Sequence, residues 1–293
     1  MILKSSNIVP SKAIGITYSS DLRKLVKAMI KDYKSLIDVY RDKKDQLAQD
    51  ADDRKLAQAA GGTWLTTELQ ERLASLGKKW EKKFMEMADN VSPKVVKKML
   101  KSTDTQLKQK LIRYFSTERL ELIGQVVPNP LRQVMKAHIQ ENANLIKSIH
   151  SKFHEQVEGS VWRSITGHGS IKSLRDDLLS YGIKTEKRAN LIALDQTRKM
   201  YSSMTLERFK QVGVKKAMWM HTHAGKTVRP YHYRKWDGVS GIDDGRPNGL
   251  NGYIFDVNNP PVIQQATKTQ KEERGYPGDL PFCTCIMSAV FEE

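Results

Sequence analysis

A chain of 293 residues is long enough to bury a substantial core, either as one large domain or as two ordinary ones. Its 49 lysines and arginines outnumber 33 acidic residues by 16, so the surface attracts polyanions through contacts that weaken with salt. No run of about twenty apolar residues is present, which excludes a membrane-spanning helix. The opening MILKSSNIVPSKAIG also lacks the apolar stretch of a signal peptide, so synthesis and retention in the cytosol, or in a particle assembled there, is expected.

In chain order, Leu22, Leu25, Val26, Met29, Tyr33, Leu36, Ile37 and Tyr40 recur at steps of three and four, which predicts an amphipathic helix with Ser19 or Ser20 as its cap. Gly61 and Gly62 are expected to break the chain before a second helix, whose stripe runs Leu65, Leu69, Leu73, Leu76, Trp80, Phe84 and Met87. Pro93 is placed to open a short helix behind Ser92, and Leu107, Leu111, Tyr114 and Phe115 mark another. Residues 1–125 thus read as an N-terminal helical region.

After the turn VVPNP at 126–130, the series Val134, His138, Asn142, Leu145, Ile149, Phe153, Val157 and Val161 predicts a helix of roughly thirty residues, about 45 Å long. His138 and Asn142 fall on its apolar stripe, where a hydrogen-bonded core position is expected rather than chemistry. GHGS at 167–170 reads as a joint, and a short helix is expected around 171–179. A last long helix then covers 185–214, capped by Thr185, buried along Ala189, Ile192, Ala193, Met200 and Met204, and stopped by Gly213. On it, Asp195 stands three and four residues before Arg198 and Lys199, an ion pair expected on a wet face. Residues 126–214 therefore form a long-helix region.

The pattern changes beyond Gly213. Ala217, Trp219 and His221 alternate with polar or flexible residues over 215–222, as in a strand; 251–257 and 286–291 predict two more. Glycines at 238, 241, 245 and 249 make the intervening segment a long loop or hairpin. The fold class expected is mainly α: a long-helix N-terminal body followed by a small loop-rich α+β C-terminal domain, residues 215–293.

Only two cysteines occur, Cys283 and Cys285, too close for an unstrained mutual disulfide, so they read as reduced thiols or metal ligands. A structural zinc site would pair them with two of His221, His223 and His232, with His221 and His232 the favoured pair; the alternative is a metal-free small core. A nuclease reading would use His221, His223 and His232 as bases or ligands, Asp237 or Asp243 as orienter, and Arg229 or Arg234 to hold a phosphate. No paired acidic motif, phosphate loop or G-x-S-x-G accompanies them.

The series RANLIALDQTRKMY, RFKQVGVKKAMWMHT, VRPYHYRKWDG, the proline-rich segment ending YPGD, and LPFCTC resembles the C-terminal signature of the Mu F-like minor head proteins, or phage head morphogenesis proteins. The matching positions are Arg188, Ala189, Asp195, Gln196, Thr197, Gly213, Trp219, Arg229, His232, Asp237, Gly238, Pro277, Gly278, Cys283 and Cys285, within roughly residues 140–293. Two positions depart from the family pattern: His150 where proline is frequent, which permits one unbroken helix, and Thr284 where a basic residue usually separates the cysteines.

The resemblance implies a minor structural protein of a tailed-phage head at the portal vertex. Such a protein acts in head assembly and in DNA packaging or ejection, and is not an enzyme. It also implies the portal protein, with capsid or neck proteins, as partners, non-specific contact with DNA, and an oligomeric state compatible with that setting. Its location would be the virion, assembled in the host cytoplasm. In that frame Arg229, His232, Asp237, Cys283 and Cys285 hold the loops of the small domain together, by hydrogen bonds or by a metal. A metal-dependent nuclease acting on phage or host DNA, and a DNA-binding packaging factor absent from the particle, are the alternatives.

Overall fold

A computed structural model describes residues 2–5, 7, 9–50, 54–165, 171–222, 232, 249–264 and 271–292. Among these, strand β1 (Ile2–Lys4) precedes five helices, α1 (Lys12–Asp50), α2 (Arg54–Leu111), α3 (Thr117–Gln125), α4 (Asn129–Ile165) and α5 (Ile171–Gln211). Strands β2 (Lys216–Met220), β3 (Ile254–Asp256), β4 (Val262–Gln264), β5 (Glu273–Arg274) and β6 (Ile286–Glu292) follow. The protein is thus mainly helical with a small, strand-containing C-terminal region, the class expected from periodicity.

The helices are longer than their local punctuation suggests. Ser19 caps nothing: it lies inside α1, buried, and its hydroxyl donates to Asn190 Oδ1 at 2.6 Å. α2 runs without interruption through Gly61, Gly62 and Pro93. A glycine costs a helix interior about 1 kcal/mol and a proline about 3. Around Pro93 that cost is offset by the burial of Val95, Val96, Met99 and Leu100 in the next two turns. The two helices expected at 171–179 and 185–214 are one, and Thr185 is an interior buried residue of α5 rather than a cap. The joint at 167–170 lies outside the described residues.

Gly213 does end α5. With φ +80° it lets Val214 N–H reach Phe209 carbonyl at 2.9 Å while its own N–H reaches Lys210 carbonyl at 3.2 Å, the paired bonds of a Schellman ending.

The chain divides into two compact units. One comprises residues 17–92 and 141–192 and is built from four helical segments. Its core holds Leu22, Val26, Met29 and Tyr33 of α1, Trp80 and Phe84 of α2, and Ile146, Phe153 and Val157 of α4. Tyr33 and Phe153 meet edge to face at 5.2 Å. A polar layer crosses this core: Tyr33 Oη lies 2.7 Å from His154 Nδ1, and the His150 and His154 rings stack at 5.5 Å. His154 is admitted by Gly77, since a Cβ there would fall 2.5 Å from the imidazole. Tyr18 donates to the fully buried Asn142, the hydrogen-bonded core role expected of that residue.

The other unit comprises residues 1–16, 93–140 and 193–293. Its sheet has the order β1-β6-β2-β3, all antiparallel. β1 pairs with the end of β6, Ile2 opposite Glu292, and Ser5 both donates its N–H to Ala289 carbonyl and accepts Ala289 N–H at its hydroxyl. β2 places Ala217 and Trp219 in the core, opposite Ala289 and Met287 of β6. A separate hairpin pairs β4 with β5.

Beside this sheet, Arg208 of α5 is fully buried. Its Nε and Nη2 donate to the two oxygens of Asp104 on α2 at 2.7 and 2.8 Å, and its Nη1 donates to Val126 carbonyl and to Gln211 Oε1. His138 of α4 is likewise buried, with Nε2 2.6 Å from Ser203 Oγ.

Two expectations follow. Asp104→Ala leaves the Arg208 cation buried without its carboxylate and should lower stability by about 3–5 kcal/mol, read by chemical denaturation. Burial, reinforced by the neighbouring His154, pulls His150 down to about 4 from 6.5. The unfolded chain therefore takes up a proton that the folded one refuses. The stabilisation is complete above pH 6.5 and is lost as pH falls from there toward 4, by up to about 3 kcal/mol. His150→Leu should flatten that part of the stability profile measured by thermal denaturation.

Candidate metal centre

The C-terminal strands converge on one buried cluster. His232, Cys283 and Cys285 are each at most 6% exposed, and their ligand atoms lie within 4.8 Å of one another. His232 Nε2 lies 3.0 Å from Ile263 carbonyl on β4. A carbonyl only accepts, so Nε2 carries a proton, and Nδ1 is the ring nitrogen turned to the sulfurs. Nδ1 is 3.7 Å from Cys283 Sγ and 3.9 Å from Cys285 Sγ. Beneath the imidazole, Trp219 of β2 packs edge to face at 5.1 Å.

Local backbone chemistry explains why the thiols face the histidine. Phe282 adopts φ +61°, a left-handed conformation that costs a bulky residue about 1 kcal/mol or more. The carboxylate of Asp195, on α5, accepts the Phe282 N–H at 2.6 Å and holds that turn, while Lys199 pairs with the other oxygen of Asp195 at 3.5 Å. Asp195 is buried, so this ion pair does not stand on a wet face as its spacing suggests. About two turns along α5 from Asp195, Ser202 donates to Pro277 carbonyl, and Gly278, φ +96°, brings its backbone against the Ser202 side chain and Arg198 carbonyl. A side chain at 278 would be strained in that conformation and would press on Ser202 at 3.1 Å.

The Cys283 thiol is shifted well below its usual range, first by the hydrogen bond from Cys285, against the opposing effect of burial, and further by His232. The Asp279 carboxyl is pushed up to about 6, chiefly by burial and also by the charge on Cys283. Two cysteine sulfurs and an imidazole nitrogen are a soft donor set suited to a metal ion. For sulfur and nitrogen bound tetrahedrally at about 2.3 and 2.0 Å, the ligand-to-ligand edge is about 3.6 Å. The observed 3.7 and 3.9 Å are close to that edge and long for a direct thiol–imidazole bond. The Ile263 carbonyl supplies the outer contact that fixes the tautomer a ligating histidine needs. This group could hold a metal ion.

The residues singled out from sequence fall into three sets. Asp195, Trp219, His232, Cys283 and Cys285 meet here, with Gln196 buried beside Asp195 in α5. Arg188 belongs to the other unit, where it donates to Ser148 Oγ at 3.0 Å. Arg229, Asp237 and Gly238 lie outside the described residues, as do His223, Arg234 and Asp243. His221 is not a member of the cluster; its N–H bonds Asn251 Oδ1 at 3.0 Å. Alternation put His221 on the Trp219 face, but β2 ends at Met220, so the strand period no longer governs residue 221. Ile263, Ser202 and the left-handed Phe282 had no sequence signal; only the proline and glycine at 277 and 278 hinted at a turn fitted against another element.

No protein-family model matches the chain, and no solved structure matches it. Over 151 residues it is 30% identical to an uncharacterized protein of Haemophilus influenzae, a stretch that is 52% of this chain and 28% of that protein. The chain therefore spans less than a third of the length of this relative.

Asp195→Ala removes the acceptor for the Phe282 amide and should cost about 1–3 kcal/mol. Asp195→Asn keeps an acceptor oxygen and should cost less in the same thermal denaturation series. Equal losses would mean that the pairing with Lys199, not the amide bond, is what the carboxylate contributes.

Proposed function

We propose that this chain is a minor structural protein of a tailed-phage head, associated with the portal vertex and acting in head assembly and in DNA packaging or ejection. The observation that carries the reading is the mutual engagement of the Mu F-like motif residues. Asp195 grips the backbone before Cys283, Gly278 seats against α5, and Trp219 underlies His232. Residues used in this way build a scaffold: they spend their polar groups on one another and on main chain. The strongly basic composition suits a chain that works beside DNA or an acidic portal surface.

In this reading the metal is a structural zinc held by His232, Cys283 and Cys285, joining the β4 carbonyl, through His232, to the turn that enters β6. Zinc here would supply cross-linking in a region of short strands rather than turnover of a substrate. No catalytic residue is assigned.

Quantitative mass spectrometry of full virions, counting this chain against portal protein, tests the assignment: presence at a fixed ratio supports it, and absence from both full and emptied particles overturns it. Metal analysis of protein purified without chelator should return about one zinc per chain. Cys283→Ser should lose that zinc and melt lower by several degrees. Absence of metal together with an unchanged melting point would overturn the zinc assignment.

A further inference from the structure

The unit that contains the metal centre also carries, on the C-terminal half of α2, an open cleft of about 420 Å³. Lys97, Lys101 and Lys108 line it together with Asp104, Thr105, Gly124 and the apolar Leu100 and Val127. The one carboxylate there is already committed, since both oxygens of Asp104 are taken by the buried Arg208. Lys97, Lys101 and Lys108 form no ion pair among the described residues, so the cleft presents three uncompensated ammonium groups. The last of them packs beside Gly124, with the Lys108 Nζ 3.6 Å from where a Cβ would stand, an ordinary contact distance.

A cation in the last turn of a helix has an ordinary explanation, because it complements the negative end of the helix dipole. That accounts for Lys108 and Lys110, but Lys97 and Lys101 sit two to four turns earlier. A solvated basic face is the other ordinary explanation, yet here the charges line a concavity, where like charges reinforce one another's field and attract a polyanion. The row from Lys97 to Lys108 spans about 16 Å along α2. One strand of duplex DNA carries a phosphate every ~3.4 Å of axis, so the row faces about five of them. Among the described residues no aromatic side chain lines the cleft, as the anchor of a protein partner would be expected to do.

We propose that this lysine cleft seats the phosphodiester backbone of DNA, holding it by charge without reading its sequence. The proposal rests on the head-protein reading above and gives it a place of contact.

Fluorescence anisotropy with two duplexes of unrelated sequence, titrated across a salt series, tests it on the full chain. Lys97→Gln/Lys101→Gln/Lys108→Gln should weaken both duplexes alike, on the order of a hundred-fold at low salt, and reduce the slope of log K against log salt by about 3. Lys24→Gln/Lys31→Gln/Lys82→Gln removes the same charge from exposed positions of the other unit and should change binding far less. The arginine triple at 97, 101 and 108 should keep the full slope, which separates charge from misfolding, and a thermal melt of each variant checks folding directly. Equal losses in the two glutamine triples, or wild-type protein that binds neither duplex at 50 mM salt, would overturn the cleft as the DNA site. Either result leaves the count of this chain in virions as it was, so failure of the cleft and failure of the head-protein reading are told apart.

Discussion

The fork between Arg208 and Asp104 is the constraint on which one whole unit depends. A guanidinium buried to zero exposure is tolerable only if its donors are met, and here they are met by a carboxylate on α2, a main-chain carbonyl after α3 and a glutamine on α5. Those partners lie 104, 82 and 3 residues away in sequence. Satisfying one cation therefore fixes the register of two helices and the path of the connection between α3 and α4. Hydrophobic burial could pack α5 against its neighbours in several slightly rotated ways, but the planar fork accepts only one of them.

α5 then serves as the rail along which the small C-terminal elements are fastened. Asp195, Ser202 and the Schellman ending at Gly213 are spaced along it, and each fixes a separate piece of backbone: the turn before Cys283, the Pro277–Gly278 corner and the entry to β2. Short strands and turns bury too little apolar surface to order themselves alone. Here they borrow order from a long helix through single hydrogen bonds to main chain, and a tethered trio of soft donors follows as a consequence. Polar residues of the motif that look like a charged surface in the sequence are thus mostly buried fasteners.

Periodicity made the helices legible, and it did so because an apolar stripe is a sum over many residues. Leu22 to Tyr40, Leu69 to Phe84 and Ile149 to Val161 each contribute several buried side chains, so no single exception disturbs the pattern. Boundaries were less legible, since Ser19, Gly61, Gly62, Pro93 and Thr185 are each worth only one to about three kcal/mol as local stop or start signals, and packing on both sides overrides them. Gly213 was read correctly because a positive φ after the last buried turn leaves few alternatives. Of the cluster, the cysteine pair and one histidine could be seen as donors. Which histidine could not, because that choice is made by a carbonyl on a two-stranded hairpin with hardly any sequence pattern. The Arg208 fork was invisible for a similar reason: nothing local to Arg208 says that its partner stands a hundred residues earlier.

The pairing of β1 with β6 has a consequence for the order in which the chain is made. Ile2 to Lys4 are synthesised long before their hydrogen-bonding partners, Val290 to Glu292. Until residues 286–292 are made, β1 has an unmatched edge, because the strand that joins it to the rest of the sheet does not yet exist. The helical unit of residues 17–92 and 141–192 can close before the sheet, which must wait for residues 286–292. A nascent chain stalled before residue 286 would therefore display finished helices and an unfinished sheet.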